Sequence, residues 1–175
     1  DLLLLHWPKP QPELAETIAA LNDAKDKGLT RAIGLSNYPS ALWQQAQDLS
    51  PAKLVTNQVE YHPLLTINAL KAKAAQLGSS LTAWSPLARG KVLDEPVVQE
   101  IASKYGKTAG QVTLRLIIHQ GLIAIPMTAN EARARDNFDI FDFALTEDEV
   151  ARIAAPANGF RVGDHLNPAF QWDAD

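Results

Sequence analysis

Several short apolar runs of this chain end on residues able to do chemistry. Leu2 to Leu5 leads into His6-Trp7, Gly34-Leu35 into Ser36-Asn37, and the run from Lys53 into Gln58 with Glu60. Ser80 to Ala83 leads into Trp84-Ser85, and Ile125-Pro126 into Met127-Thr128. Polar groups placed directly after buried segments must find hydrogen-bond partners, in the protein or in a ligand. Each has a plain structural use when taken singly. His6 is then a packed side chain, Ser36-Asn37 a turn capping the next helix, Gln58 a tie between loops, Trp84 core and Ser85-Pro86 a turn. Their common position at one end of successive strands favours a ligand pocket, but names no reaction. Glu60 and His62 lie next but one in a strand-like stretch and project to the same side, which allows an acid/base pair. No metal-ligand pattern or nucleophile elbow accompanies that pair, and the chain has no cysteine for thiolate chemistry or disulfides.

The elements that carry these residues alternate in kind. Leu2 to Leu5 reads as a strand buried on both faces. Pro12 to Lys27 reads as a helix, with Leu14, Ile18 and Leu21 at helical spacing and Gly28 as its stop. Arg31 to Leu35, Lys53 to Gln58, Ser80 to Trp84 and Ile123 to Pro126 are further strands. Helices are expected over Pro39 to Leu49, Thr66 to Leu77, Pro96 to Tyr105, Ala109 to Gln120 and Glu131 to Phe138, and over Glu147 to Ala155 with Thr146 as N-cap. Pro156 to Asp175 has no period and reads as a long loop or tail. The β-α unit thus recurs about five times, at roughly 25 to 35 residues each. That order implies a parallel sheet with helices outside, in one domain spanning residues 1 to 175. No G-x-G-x-x-G turn marks a Rossmann half. A closed (β/α)8 barrel needs about 250 residues, so the pattern fits the later part of one. An open doubly wound sheet remains the alternative on pattern alone.

Composition narrows the partners. A hydrophobic fraction of 46% supplies a core, and a formal charge of −4 with interspersed signs suggests neither nucleic acid nor a membrane surface. No apolar run approaches the ~20 residues that cross a bilayer. The apolar start lacks the basic flank and cleavage site of a signal peptide. The missing cysteines are compatible with a reducing, cytoplasmic setting.

Motifs in register then resemble one family. Asp1 to Pro8 (DLLLLHWP) is similar to the fourth strand of aldo-keto reductases, whose end carries a catalytic histidine. Gly34 to Tyr38 (GLSNY) resembles the segment after the fifth strand, and Asn57 to Pro63 (NQVEYHP) that after the sixth. Trp84 to Leu87 (WSPL) stands where the family has an aromatic followed by S-P-L. Ile125-Pro126, with Arg133, Asp136 and Asn137 at the family's spacing, resembles the phosphate-binding segment after the eighth strand. Asp142 to Leu145 is similar to the stretch before the last helix, so the resemblance runs from Asp1 to about Trp172. The bacterial 2,5-diketo-D-gluconate reductase-like subgroup is the nearest in flavour.

The resemblance implies a partial (β/α)8 TIM barrel, its last five β/α units with a C-terminal helix and tail. It implies NADPH-dependent reduction of an aldehyde, ketone or keto-sugar, by a protein that is a monomer when full-length. By the same resemblance His6 polarises the substrate carbonyl and Trp7 helps line the substrate pocket. Ser36, Asn37 and Gln58 hold the nicotinamide carboxamide, whose one acceptor and two donors they can satisfy. Trp84 stacks on the nicotinamide in place of the more usual tyrosine, and Ser85 and Leu87 belong to the pyrophosphate stretch. Thr128 and Arg133 take the 2′-phosphate, and Asp136 and Asn137 the adenine; an arginine can grip phosphate with two parallel hydrogen bonds. The tail from Asn158 to Trp172 would help shape the substrate pocket, where Phe160, Phe170 and Trp172 serve as apolar lining or as core.

Two departures matter. Met127 stands where the family commonly has a basic residue, which weakens NADPH preference by roughly 1 to 3 kcal/mol and leaves NADH use open. The family's general acid is a tyrosine, supported by a lysine and an aspartate from earlier strands. Tyr38, Tyr61 and Tyr105 do not sit in that motif, so the chain reads as a fragment that is inactive alone. The competing reading is a non-catalytic nicotinamide-binding module of the same fold.

Overall fold

The computed structural model describes residues 1–8, 13–163 and 171–173. In chain order the elements are β1 (Leu2–Leu5), α1 (Glu13–Asp26), β2 (Ala32–Ser36), α2 (Ser40–Leu49), β3 (Leu54–Glu60), α3 (Asn68–Leu77) and β4 (Ser80–Trp84). A 3-10 stretch over Ala88–Asp94 follows, then α4 (Pro96–Tyr105), α5 (Ala109–His119), β5 (Ile123–Ala124), α6 (Glu131–Phe138) and α7 (Glu147–Ala154). The five strands stand in the order β1-β2-β3-β4-β5, with β1 parallel to β2 and β2 parallel to β3. Each strand therefore neighbours its predecessor across a helical crossover. A doubly wound sheet would reverse its strand order at a switch point, and none occurs among the described residues.

The chain divides into two compact units. The first comprises Asp1–Val59, Ile67–Thr82 and Gln171–Asp175. Its core is built from Ile18, Ile33, Leu35, Trp43 and Leu54, all inaccessible to solvent. Leu14, Ile18 and Leu21 form the buried stripe of α1, as their spacing predicts. Gly34 lets β2 sit close to its neighbours. A Cβ there would lie 2.7 Å from the Thr56 carbonyl oxygen and 2.8 Å from a Leu4 methyl.

The second unit comprises Glu60–Thr66 and Ala83–Phe170. Val98, Ile101, Val112, Leu116 and Ile153 fill its core, with Tyr105, Phe143 and Phe160 packed around them. Thr146 caps α7 and Thr108 caps α5, each in a capping box with Glu149 or Gln111 reaching back. Among the described residues no helix is long and apolar enough to cross a membrane.

Three local expectations change. Leu2 and Leu3 are 48% and 43% exposed rather than buried on both faces, and among the described residues β1 is an edge strand that pairs with β2 alone. The strand at Ile123 stops at Ala124, so Met127-Thr128 stands in a loop beyond the strand's end. Gln58 lies inside β3, which continues to Glu60. The helix expected from Pro12 begins at Glu13 among described residues, and Pro12 lies outside them.

Candidate active site

In the first unit the polar strand ends bind one another. Ser36 and Gln58 are register partners, and Ser36 Oγ donates to the Gln58 carbonyl at 2.7 Å. The Asn37 backbone N–H donates to the same carbonyl at 2.9 Å. Asn37 Nδ2 donates to the His6 carbonyl at 2.9 Å and contacts Ser36 Oγ at 3.0 Å. Asn37 adopts a left-handed backbone (φ 64°), a conformation that asparagine tolerates better than most residues. Ser36 and Asn37 are buried and Gln58 is half-buried, while His6 is exposed. The structure thus brings His6, Ser36, Asn37 and Gln58 together around one carbonyl-and-amide network. Asn57 closes it from behind, donating through Nδ2 to the Tyr38 carbonyl at 2.7 Å.

Beside this network, Leu5, His6, Trp7, Leu14, Thr17 and Tyr38 line a cavity of about 350 Å³. The Trp7 ring lies 5.8 Å from Trp172 in an edge-to-face arrangement. Of the other two tail aromatics, Phe160 packs on the core of the second unit and Phe170 lies outside the described residues. Asp173 follows Trp172 directly and accepts hydrogen bonds from Ser40 Oγ at 2.7 Å and from the Ser40 N–H at 2.9 Å. Nothing in the residues around Asp173 points to this role. One sign exists at the other end of the contact: Pro39 occupies the N-cap position of α2 and provides no side-chain acceptor, so the helix start needs one from elsewhere.

In the second unit, Trp84, Ser85 and Leu87 are half-buried at the end of β4, and Ser85 also has a left-handed backbone (φ 49°). Thr128 Oγ accepts from the Asn130 N–H at 3.1 Å, which leaves its O–H free to donate. Asn130 caps α6 through its side-chain oxygen, 3.0 Å from the Arg133 N–H. Arg133, Asp136 and Asn137 share one face of α6 by their i, i+3, i+4 spacing. Thr128 and Asn137 line a cavity of about 400 Å³ with Leu114, Ile118, Phe138 and Phe141, whereas Arg133 and Asp136 stand outside it, exposed. Among the described residues nothing engages the Arg133 guanidinium. Met127 is 98% exposed.

The tyrosines are placed for structure. Burial pushes the Tyr38 hydroxyl up to about 12. It does the same for Tyr61, also to about 12, against the lowering effect of its hydrogen bond with Gln120. Tyr105 donates to Glu149 at 2.8 Å, which raises its pKa. None of the three is poised to give up a proton to a substrate.

Glu60 and His62 are not an acid/base pair open to substrate. Both are fully buried, with His62 Nε2 3.0 Å from Glu60 Oε1. The Glu60 carboxylate accepts from the Val162 N–H and, at 2.9 Å, from the Gly163 N–H. The carboxylate is thus committed to two backbone amides and an imidazole, and neither side chain is reached by solvent.

The Aldo/keto reductase family model matches residues 1–157 of the chain. The chain belongs to the aldo/keto reductase family. Methylglyoxal reductase DkgA of Escherichia coli (strain K12) is 36% identical over 166 residues, covering 93% of this chain and 60% of its own length. A solved structure described as a candidate 2,5-diketo-D-gluconic acid reductase B superposes with a TM-score of 0.93. It is 45% identical and covers 99% of this chain and 63% of that one. Gox0644, solved as a mutant in complex with NADPH, has a TM-score of 0.89 and 34% identity, over 97% of this chain and 64% of that one. This aldo/keto reductase chain spans about 60% of the length of the curated relatives it matches.

Proposed function

We propose that residues 1–175 are one reductase domain, the last five β/α units of a (β/α)8 barrel with their C-terminal helix and tail. In the complete monomeric protein this domain serves NADPH-dependent reduction of small aldehydes, ketones or keto-sugars. The observation that carries the reading is the Ser36-Asn37-Gln58 network, whose fixed backbone holds a hydroxyl and two amides beside the exposed His6. Ser36 and Asn37 spend their donors within the network, so the two carboxamide N–H donors would meet side-chain oxygens and its carbonyl would accept from Gln58 Nε2. NADPH, when bound, supplies the hydride.

The chain's own residues then have distinct tasks. His6 donates a hydrogen bond to the substrate carbonyl and stabilises the oxyanion as it develops. Trp7 bounds the substrate side, and the Trp84 indole provides the face on which the nicotinamide stacks. Ser85 and Leu87 would contact the pyrophosphate. The free Thr128 hydroxyl proton and the unengaged Arg133 guanidinium suit a 2′-phosphate, with Asp136 and Asn137 on the adenine. The E. coli methylglyoxal reductase and the diketogluconic acid reductase candidate support α-dicarbonyl and keto-sugar substrates, and the Gox0644 complex supports NADPH.

The protonation of the alkoxide is assigned to a tyrosine that this chain does not provide. General acid catalysis is typically worth about 10² to 10⁴-fold. The 175 residues alone should therefore turn over methylglyoxal far more slowly than the complete protein, in an assay of NADPH absorbance at 340 nm. Equal rates would overturn the assignment of the acid, and no NADPH consumption by the complete protein would overturn the reductase reading.

A further inference from the structure

Glu60 ends β3 with its side chain fully buried. A carboxylate in such a place is costly unless every oxygen is answered. Here Oε1 meets His62 Nε2 and the Val162 N–H, and Oε2 accepts from the Gly163 N–H at 2.9 Å. Those amides lie 102 and 103 residues further along the chain. An apolar residue would fill the same volume without the desolvation cost, but it would not specify where Val162 and Gly163 must stop.

Gly163 explains why that stopping point matters. Its backbone is outside the left-handed region, so conformation does not demand a glycine. Space does. A Cβ there would lie 2.7 Å from Trp84 Cη2 and 2.9 Å from Glu60 Oε2, closer than real side chains approach. The bare Cα of Gly163 is the seat of the Trp84 indole edge. Glu60, His62, Trp84, Val162 and Gly163 all belong to the second unit.

We infer that Glu60 and Gly163 form a positioning device for Trp84. The buried carboxylate fixes the Val162–Gly163 backbone, and the missing side chain at Gly163 fixes the plane of the indole. Neither residue touches substrate or cofactor. The inference rests on the reading of Trp84 as the nicotinamide platform, and it can fail separately from that reading.

A double-mutant cycle tests it in the complete protein, with the thermal midpoint and the NADPH Kd as readouts. Gly163→Ala should lower the midpoint and raise the NADPH Kd by about tenfold, the scale of one lost stacking geometry. In a Trp84→Ala background the 2.7 Å clash with the ring is gone and only the 2.9 Å approach to Glu60 Oε2 remains, so the Gly163→Ala penalty on both quantities should shrink. Glu60→Gln keeps the shape but turns an amide N–H₂ toward a donor, and should weaken NADPH binding while leaving the aldehyde KM unchanged. A Gly163→Ala penalty that persists undiminished without the indole would overturn the inference, as would a Glu60→Gln protein with unaltered NADPH Kd. Trp84→Ala with normal NADPH affinity would instead sink the platform reading. In that case the midpoint coupling still reports whether Gly163 seats the ring.

Discussion

The strand-end network of the first unit and the α6 segment of the second present polar groups in opposite ways. Ser36 and Asn37 are buried, and each already holds backbone carbonyls in place, with Asn37 in a left-handed conformation. Arg133 and Asp136 are exposed, and the order around them comes from the Asn130 cap rather than from their own side chains. The two ends of the proposed cofactor therefore have different tolerances. A hydride donor must be oriented to a fraction of an ångström, which requires a preorganised frame. A phosphate needs only charge within reach, which a long flexible guanidinium supplies.

The contrast is open to attack, first at the buried network. Asn37→Ala removes two side-chain hydrogen bonds and puts a less tolerant residue at positive φ. It should cost about 2 to 4 kcal/mol in urea unfolding and abolish measurable NADPH binding. Asn37→Gly should recover the backbone part of the stability and none of the binding. Arg133→Ala should raise the NADPH Kd about 10- to 100-fold with no change in unfolding midpoint. A stability loss there would erase the distinction between the two regions.

Acid should separate the units next. In the second unit burial pushes the Glu149 carboxyl up, but the Lys104 ammonium at 2.6 Å, the Thr146 N–H and hydroxyl and the Tyr105 hydroxyl hold it down at about 2, against an ordinary 4.5. A lowered folded-state pKa contributes stability that is present above about 4.5 and is lost as the pH falls toward 2. The first unit's network of Ser36, Asn37 and Gln58 has no ionisable member. Urea midpoints should therefore fall on acidification through the α4–α7 region, and Glu149→Gln should flatten that slope. A smaller change still is expected at Met127, whose exposed side chain sits on the proposed phosphate segment. Met127→Arg should raise the preference for NADPH over NADH by a few-fold, read from the ratio of the two Kd values.

Much of the molecule is legible in the chain itself where the deciding interactions are local. Leu14, Ile18 and Leu21 mark the buried stripe of α1, and Thr146 marks the start of α7 three residues from the Glu149 that answers it. The motif segments locate His6, Ser36, Asn37, Gln58 and the α6 face by chain position. The burial of β1 is not legible in this way, since an apolar run says nothing about how many neighbours its strand will have.

Residue order alone dictates which residue types stand at each strand end and which helices can cap themselves, because both follow from neighbours within a turn or a run. It took the folded chain to establish that Glu60 answers Gly163 and that Asp173 caps the helix behind Pro39. Those partners are separated by 103 and 133 residues. No periodicity spans such distances, and a buried carboxylate or an uncapped helix end states a need without naming the group that meets it.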